Sequence, residues 1–469
     1  MKSHYQVLVI GGGPAGLAAA SAAARQGLDV ALVDEQQTPG GQIYRNVMGS
    51  GDRAIDYLGK DYMRGKQLVV EFLQSGADYL DNASVWYLDE RLEAGLLIDG
   101  SSRFISADRL VLASGAQERP MPLPGWQLPG VMTAGAGQIL LKASGIVPQG
   151  RLVLAGSGPL LLLLAWQYLQ AGVKIEALVD TTPGSRLVKA LPSLPRALPA
   201  IDYLFKGFKF MRAIRNARIP VYRKVDNLRA EGGDSLESVC FDIAAGKAGN
   251  RSEIRIEADT LMLHQGVISN INLPLAAGCK VEWNESQQNW QVSKDKWGQS
   301  SVKQVMVAGD CAGIVGAAAA ELQGRLCALQ LGHEIGGLDS ERRDAAAQRI
   351  DRSLKRHLSI RPFVDKLYAP APAFQLPDDE TLVCRCEEVT AGQVRQAARM
   401  GCVGPNQAKA FTRCGMGPCQ GCLCGSTVSA LIADETSLPL EAVGYFRVRP
   451  PFKPITLGEL ADTWPAAVD

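Results

Sequence analysis

The chain has 469 residues, more than one hydrophobic core of roughly 250 to 300 residues can organise, so two to four domains are expected. Its 49 Lys or Arg and 48 Asp or Glu leave a net charge of +1 without a basic block, which excludes the electrostatic footprint of a nucleic-acid-binding protein. No apolar run reaches the ~20 residues of a membrane span, and the N-terminus does not fit a signal peptide. We therefore expect a cytoplasmic protein, with at most peripheral association at the inner face of a membrane.

Residues 5 to 34 predict a strand, a glycine turn, a helix and a second strand that ends at Asp34. The turn reads Gly11-x-Gly13-x-x-Gly16. Such glycines permit a tight turn, let the backbone approach a pyrophosphate and allow the helix to pack on the strand, while the acidic residue accepts hydrogen bonds from a ribose. A turn that serves only packing is the alternative. The predicted dinucleotide-binding residues here are Gly11, Gly13, Pro14, Ala15, Gly16, Asp34 and Glu35.

Two later segments indicate which dinucleotide is bound. LVLASGA ends a predicted strand at Ser114 and Gly115, and VMVAGDCAG places Gly309 and Asp310 at a strand end beside a helix N-terminus. Both segments resemble those of the two-dinucleotide-domain flavoproteins, whose Gly-Asp aspartate binds the ribityl chain of FAD. The resemblance implies FAD, and it implies further contacts from Gly41, Gln42, Arg45 and Val85.

Residues 151 to 180 repeat the strand, glycine turn, helix and strand of the opening, which predicts a second nucleotide-type domain. Leu161 replaces the third glycine after Gly156 and Gly158 and is expected to push helix and strand apart. We therefore expect a fold retained without NAD(P)H turnover. His264 ends a strand predicted to face the flavin, in a structural or a tuning role. The isolated thiols, predicted to be buried apolar groups, are Cys240, Cys279, Cys311 and Cys327.

The remaining cysteines crowd into the C-terminal part of the chain. Cys384-x-Cys386 and Cys419-x4-Cys424 supply four thiolates from two loops that flank a predicted helix, which is what a [2Fe-2S] cluster requires. Structural zinc also takes four cysteines, and Cys419-x-x-Cys422 satisfies its spacing. Unligated thiols are the third alternative. We favour the cluster, because a metal centre joined to a flavoprotein serves electron transfer, which zinc cannot perform.

The motifs CRCEEVTAGQV, TRCGMGPCQGCLC and YFRVRPPFKPITLGELA resemble the FAD and [2Fe-2S] subunits of heteromeric amine dehydrogenases, the family that includes the A subunit of opine oxidase, the flavoprotein subunit of hydroxyproline dehydrogenase and the B subunit of hydrogen cyanide synthase. The cysteine module is also similar to bacterioferritin-associated ferredoxin. The family pattern Cys-Gln-Gly-Arg-x-Cys carries the last two ligands to Cys419 and Cys424. Because Cys422 replaces the arginine, the fourth ligand stays open between Cys422 and Cys424, and Cys414 is interpreted as a bystander.

The resemblance and the motifs together predict an α/β fold: a Rossmann-like FAD-binding domain with an inserted, degenerate NAD-like domain, followed by a small [2Fe-2S] domain. The expected boundaries are 1–118 and 250–335 for the FAD-binding domain, 119–249 for the NAD-like domain, 336–378 for a helical linker, 379–432 for the [2Fe-2S] domain and 433–469 for a tail packing on the core or a partner.

The resemblance implies an electron-relaying subunit. A partner FAD subunit of amino-acid-oxidase type would oxidise an opine, D-hydroxyproline, proline or glycine, with FMN at the interface and a respiratory or soluble electron acceptor downstream. The sequence offers no catalytic triad, paired carboxylates or His-rich site, so no catalytic residue is nominated. The alternatives are a stand-alone NAD(P)H:acceptor oxidoreductase with a [2Fe-2S] centre, and a non-catalytic carrier module.

Overall fold

The computed structural model describes residues 2–51, 54–245 and 250–461. The first α/β unit opens with the predicted strand, helix and strand. Pro14, at the first helical turn, has the fixed φ that a helix start needs. The elements are β1 (His4–Ile10), α1 (Pro14–Ala24), β2 (Val30–Val33), α2 (Ala54–Leu58), α3 (Lys60–Leu73), β3 (Asp78–Leu80), β4 (Ser84–Leu88), β5 (Glu93–Ile98), β6 (Ser101–Leu112) and β7 (Ala116–Glu118).

The second unit begins at a short strand and a capped helix. Thr133 accepts a hydrogen bond from the N–H of Ala136 at 3.2 Å, which satisfies one of the free amides at the helix N-terminus. The elements are β8 (Val131–Thr133), α4 (Ala134–Ser144), β9 (Leu152–Gly156), α5 (Pro159–Gln170), β10 (Ile175–Asp180), α6 (Ser185–Ala190), α7 (Leu194–Ala197), α8 (Ile201–Asn216), β11 (Val221–Arg223), β12 (Val225–Glu231), β13 (Ser238–Ala245), β14 (Asn250–Glu257) and β15 (Thr260–His264).

The second unit extends further along the chain than the sequence suggests. Its five strands are parallel, in the order β11-β10-β9-β15-β8, and β12, β13 and β14 form a separate antiparallel sheet. Because Thr260 of β15 lies opposite Leu152 of β9, this strand belongs to the second sheet. The unit therefore runs to residue 264, which corrects the expected boundary between 249 and 250.

The chain then returns to the first unit through β16 (Val267–Ser269), α9 (Asn272–Ala276), β17 (Val281–Asn284), β18 (Asn289–Val292), β19 (Val305–Val307) and α10 (Ala317–Ile335). The sheet of the first unit has the order β3-β2-β1-β6-β5-β4, with β19 paired to β6. β1, β2, β3, β6 and β19 are parallel, so their carboxyl ends meet at one edge of the sheet. A side chain at Gly324 of α10 would overlap the carbonyl of Ala15, so this glycine is what lets α1 and α10 pack together.

The C-terminal part contains a helix of 19 residues, a helix of 7 residues and then the compact cysteine unit. Cys384, Cys414 and Cys424 are buried in the apolar core of this unit, with Val428 and Leu431. The elements are α11 (Ser340–Leu358), α12 (Arg361–Leu367), β20 (Leu382–Cys384), β21 (Val389–Thr390), α13 (Ala391–Arg399), α14 (Pro405–Thr412), α15 (Gly425–Thr436), α16 (Leu440–Val443) and α17 (Leu457–Ala461). None of the described helices is both long and apolar enough to cross a membrane.

Specific contacts fix the cysteine unit and the tail on the two α/β units. Trp126 is buried beside the second unit and donates from Nε1 to the carbonyl of Leu382 at 2.8 Å. In the tail, the Phe452 N–H donates to the carbonyl of Trp86 at 3.0 Å. Lys453 forms an ion pair with Glu35 at 2.8 Å. These contacts hold the cysteine unit in one position.

Trp126→Phe should weaken this docking. The ring is retained, but the Leu382 carbonyl loses its donor, which costs about 1–3 kcal/mol. We expect faster proteolytic release of the cysteine unit and an earlier urea transition. Trp283→Phe is the matched control, because that indole donates to the exposed Glu285. Equal behaviour of the two variants would contradict a docking role for Trp126.

Candidate functional site

The first glycine turn has one open side. Gly11 has a φ of +111°, and a side chain at Gly11 or Gly16 would overlap the carbonyl of Ala113 or of Gly11, respectively. A Cβ at Gly13 would instead meet nothing within 4 Å. Packing therefore requires the first and third glycines, whereas Gly13 faces free space at the start of α1, whose first residues are Pro14 and Ala15. This is the arrangement that a bound pyrophosphate needs.

Asp34 is the acidic side chain that faces this turn. Its carboxylate accepts hydrogen bonds from the N–H of Gly12 and, at 2.7 Å, from the N–H of Gln36. Burial raises the pKa of this carboxyl above its usual value. Glu35 is paired with Lys453 of the tail at a half-exposed position. Of the two predicted candidates, Asp34 is therefore the one placed beside the glycines.

A buried lysine and a partly buried arginine lie next to the loop that covers the turn. A Cβ at Gly41 would lie 2.7 Å from the Cα of Gly13, so the two backbones touch. Lys142 donates to the carbonyl of Gln42 at 3.2 Å, and burial together with the nearby Arg45 lowers the pKa of Lys142 to about 7. Within the described residues, neither side chain forms an ion pair, and the buried Nε of Arg45 has no hydrogen-bond partner. Basic groups without a carboxylate partner fit an anionic dinucleotide.

The other predicted FAD residues lie at the same edge of the first sheet. Ser114 Oγ donates to the carbonyl of Asn270 at 2.9 Å, and the N–H of Asn270 donates to the carbonyl of Gly115 at 3.0 Å. A Cβ at Gly309 would lie 2.9 Å from that of Ala15. Asp310 accepts from the N–H groups of Val315 and Gly316 at 2.8 and 3.0 Å, where α10 begins.

Val85 takes a different place from the other predicted residues. Its side chain is buried in β4, opposite Leu96. The strand comes near the acidic residue just before β4, because the N–H of Ala83 donates to the carbonyl of Asp34 at 3.0 Å. Contact with a dinucleotide at this point would therefore have to come from the backbone around residues 83–85.

Three cysteine thiols meet in the core of the cysteine unit. The Sγ atoms of Cys384, Cys414 and Cys424 lie within 4.8 Å of one another, and all three residues are buried. Hydrogen bonds from the other two thiols hold the pKa of Cys384 far below its usual range. Clustered thiols of which one favours the thiolate suit a metal centre that takes thiolate ligands, either iron–sulfur or zinc. Cys414, interpreted from the sequence as a bystander, lies with two of the predicted ligands.

The other two predicted ligands form a second pair. Cys386 lies near Cys419, where burial together with this neighbouring thiol raises the pKa of Cys419. A Cβ at Gly417 would collide with that of Cys386, so this glycine lets the 414–424 loop close over the first cysteine loop. Burial together with the nearby Cys419 raises the pKa of Cys422 to about 12. The structure thus brings Cys414 together with Cys384 and Cys424 and leaves Cys422 outside this group of three.

The cysteine loop lies against the same edge of the first unit that gathers the FAD residues. The Gln117 side chain donates to the carbonyl of Cys422, and that of Asn272 donates to the carbonyl of Gln420 at 3.2 Å. Gln117 is two residues beyond Gly115, and Asn272 is two residues beyond Asn270. Tyr445 donates to the carbonyl of Gly421 at 3.3 Å and closes the junction. The predicted dinucleotide site and the thiols are therefore joined by a few hydrogen-bonded residues.

The second glycine turn lies against His264. A Cβ at Gly158 would lie 2.8 Å from its Nε2, and its Nδ1 contacts the carboxylate of Glu118. Since β15 belongs to the second sheet, the histidine does not end a strand of the flavin sheet, which corrects its expected position. Leu161 is buried, and beside it lies a cavity of about 550 Å³ that is also lined by Asp180.

Several residues of the site had no motif to mark them in the sequence. Contacts between segments far apart in sequence bring in Lys142, Glu118 and Gln117. The fold of the cysteine unit brings Cys414 beside two predicted ligands. The one local signal was the single lysine in the apolar helix GQILLKASG. The isolated cysteines Cys240, Cys279, Cys311 and Cys327 are buried, as small apolar groups would be.

Comparison with known proteins gives consistent matches. The model of the pyridine nucleotide-disulphide oxidoreductase family matches residues 5–324, and that of the sarcosine oxidase A3 domain matches residues 378–463. The opine oxidase A subunit of Rhizobium meliloti is 42% identical over 98% of this chain and 88% of its own length. The hydrogen cyanide synthase subunit HcnB of Pseudomonas protegens is 32% identical, with 96% of each chain covered. L-proline dehydrogenase from P. horikoshii is similar in fold, with a TM-score of 0.68, 20% identity and coverage of 97% of this chain and 79% of that chain.

Gly13→Val should remove FAD without unfolding the protein. A Cβ at this position meets no protein atom within 4 Å, so the substitution acts chiefly on what binds the turn. We expect flavin content to fall at least about tenfold while iron content and the far-ultraviolet circular dichroism are kept. Gly207→Val, also at a glycine with open surroundings, is the control that should retain flavin. A full flavin complement in the Gly13→Val protein would place the dinucleotide elsewhere.

Cys384→Ser should remove the metal centre and leave the flavin bound. Cys384 is a predicted ligand and also a member of the buried group of three thiols. Iron and acid-labile sulfide, measured chemically on protein isolated anaerobically, should fall to near zero, with loss of the visible absorption in excess of that of the flavin. Cys422→Ser is the control and should keep both, since Cys422 is not among the three thiols that lie within 4.8 Å of one another. Zinc in place of iron in the unmodified protein would contradict the iron–sulfur assignment.

Proposed function

We propose, given that this chain belongs to the family of flavin-dependent oxidoreductases that contains the opine oxidase A subunit, that it is the electron-relaying subunit of a heteromeric amine or amino-acid dehydrogenase. The observation that carries the proposal is the junction of the two predicted cofactor sites. Asn272 and Gln117 bind the cysteine loop, and the backbone just before each of them belongs to the predicted FAD site. Such proximity is what electron transfer between two centres in one chain requires.

The residues fit both cofactors. The open face of Gly13 and the unpaired Arg45 and Lys142 suit the anionic FAD, and the gathered thiols suit a [2Fe-2S] cluster. We assign FAD to the predicted residues at the first glycine turn and the cluster to Cys384, Cys386, Cys419 and Cys424, with Cys414 as a fifth thiol beside them. Bound FAD supplies exchange of electron pairs, and a [2Fe-2S] cluster supplies exchange of single electrons.

The protein's own groups would tune and insulate this relay. Lys142, which donates to Gln42 and Gln138, has its pKa lowered by burial to about 7, and its protonated form would favour a cofactor that gains negative charge on reduction. Burial of Cys384, Cys414 and Cys424 excludes water from the metal centre. Asn272 and Gln117 fix the separation of the two sites.

We assign the oxidation of the amine to a partner. The relatives from opine oxidase and hydrogen cyanide synthase are both named as subunits, which supports a hetero-oligomer. We propose an amino-acid-oxidase-like FAD subunit that takes a hydride from the carbon beside the nitrogen of an opine, D-hydroxyproline, proline or glycine. FMN would bind at the interface of the subunits, and the electrons would leave to the respiratory chain or to a soluble carrier in the cytoplasm.

A second candidate is a stand-alone NAD(P)H:acceptor oxidoreductase. The cavity of about 550 Å³ at the second glycine turn favours it, since Arg212, Arg215 and Arg218 line this cavity opposite Gly158. Cations facing a glycine turn at a helix start are suited to phosphate groups. The relay remains the preferred function because of the family and the junction with the thiols.

The relay predicts a strict dependence on a partner. The purified chain, with FAD and iron present, should not be reduced by proline, glycine or an opine under anaerobic conditions. After addition of an amino-acid-oxidase-like partner subunit, the flavin should bleach and the cluster absorption should fall within one turnover, because the hydride acceptor is then present. Stopped-flow absorbance measures both.

Two outcomes would contradict the relay. Turnover of an amine by the single chain would place the oxidation site within it. Bleaching of the flavin in the single chain by NADH or NADPH at turnover rates would establish the second candidate. Arg218→Gln is the control variant, since it should slow bleaching by the nicotinamide nucleotide and leave partner-dependent reduction unchanged.

A further inference from the structure

In the segment from residue 185 to residue 216, small side chains are buried and many large apolar side chains are exposed. It consists of α6, α7 and α8, joined by two short 3-10 helices. Its buried residues are mostly small, namely Ala190, Ala197 and Ala200, and they pack on Ile360 and Phe363 of the neighbouring helices. The partly buried Leu194, Tyr203 and Leu204 also pack on this cluster. Most of the remaining large apolar side chains of the segment lie outside it and are exposed.

Those large side chains point outward. Val188, Phe205 and Phe208 are 69%, 65% and 59% exposed, respectively. Scattered apolar residues are normal on a surface, but a concentration of this kind marks a contact site. The exposed large apolar residues of the segment are Leu187, Val188, Leu191, Leu198, Ile201, Phe205, Phe208 and Met211.

The same segment is strongly basic. It contains seven Lys or Arg and a single Asp, a net charge of +6 in a chain whose total is +1. Lys189 and Arg196 are exposed, and neither has an ion-pair partner among residues 2–51, 54–245 and 250–461. Cations without carboxylates beside exposed apolar groups suit an anionic surface that is apolar just beneath.

The inner side of α8 is fixed to the rest of the protein by specific contacts. The Phe210 ring packs on Trp166 with 5.5 Å between centroids, and Ile214 is buried. Lys206 pairs with Asp61 of α3 at 2.6 Å. The inner side of α8 is thus fixed to the protein, and its outer side presents Phe205 and Phe208 outward.

We propose that the 185–216 segment is a membrane-docking surface that binds the surface of an anionic phospholipid bilayer. The aromatic and aliphatic side chains would enter the boundary between headgroups and acyl chains, and the lysines and arginines would contact the headgroup phosphates. Basic amphipathic helices with Phe and Leu on one face bind membranes in this way. The net charge of +6 favours an anionic lipid surface over a neutral protein partner.

Vesicle sedimentation of the complete protein, with its cofactors bound, tests the proposal. Vesicles of phosphatidylcholine and phosphatidylglycerol in equal parts should bind it, and vesicles of phosphatidylcholine alone should bind it far less. At about 1 M salt, where the Debye length is near 3 Å, binding should weaken strongly. Equal binding to both kinds of vesicle, or none to either, overturns the proposal.

Two double variants identify the segment, and neither touches the cavity of the second unit. Val188→Ser/Phe205→Ser should weaken binding at least about tenfold through loss of inserted apolar surface. Lys189→Gln/Arg196→Gln should weaken it roughly 30-fold, since each cation contributes about fivefold near an anionic membrane. The controls are Phe411→Ser, which is 66% exposed in the cysteine unit, and Arg91→Gln/Lys303→Gln at exposed positions elsewhere; both should bind as the unmodified protein does.

Two further results would assign the face to a different occupant. If Val188→Ser/Phe205→Ser releases a partner subunit while vesicle binding stays unchanged, the segment is a protein interface. If the same change converts a dimer of this chain into a monomer in gel filtration, the occupant is a second copy. Flavin content, iron content and melting temperature, measured for each variant, identify loss of folding, and partner-dependent reduction is expected to remain unchanged.

Discussion

The approach of the 414–424 loop to the carboxyl edge of the first sheet is the constraint on which the rest of the structure depends. Parallel pairing of β1, β6 and β19 brings their ends together, and the turns that follow contain the predicted FAD residues. The cysteine loop is held at that edge because Asn272 and Gln117 donate hydrogen bonds to its backbone there. A shift of a few ångströms would separate the two predicted cofactor sites, so this contact decides whether one chain can serve as a relay.

Much of this was accessible from local patterns. The fold class and the family are confirmed, because glycine spacing, strand runs and cysteine motifs are local properties of the chain. The open position at Gly13 and the packed positions at Gly11 and Gly16 also follow the pattern of the turn. The sequence could not distinguish Asp34 from Glu35 as the residue that faces the turn. Glu35 instead pairs with Lys453, and that residue lies in the distant tail.

The parts that could not be predicted depend on contacts between segments far apart in sequence. β15 has the composition of any buried strand, and only its pairing with β9 assigns it to the second unit. That pairing moves His264 away from the flavin sheet and against Gly158 and Glu118. Cys414 joins Cys384 and Cys424 because the cysteine unit folds around them, a closeness that spacing alone cannot reveal.

The charge distribution adds a constraint that total composition conceals. A net charge of +6 in the 185–216 segment leaves −5 on the remainder of a chain whose total is +1, so positive charge is concentrated in this segment although the protein is nearly neutral. Such a concentration of charge would orient the molecule before contact, with the basic segment toward an anionic surface. The predicted cofactors are held by other parts of the chain, the first sheet and the cysteine unit. A membrane contact at the 185–216 segment would therefore leave both cofactor sites open to a partner, and that separation is what a relay from an amine-oxidising subunit to a membrane-bound acceptor would require.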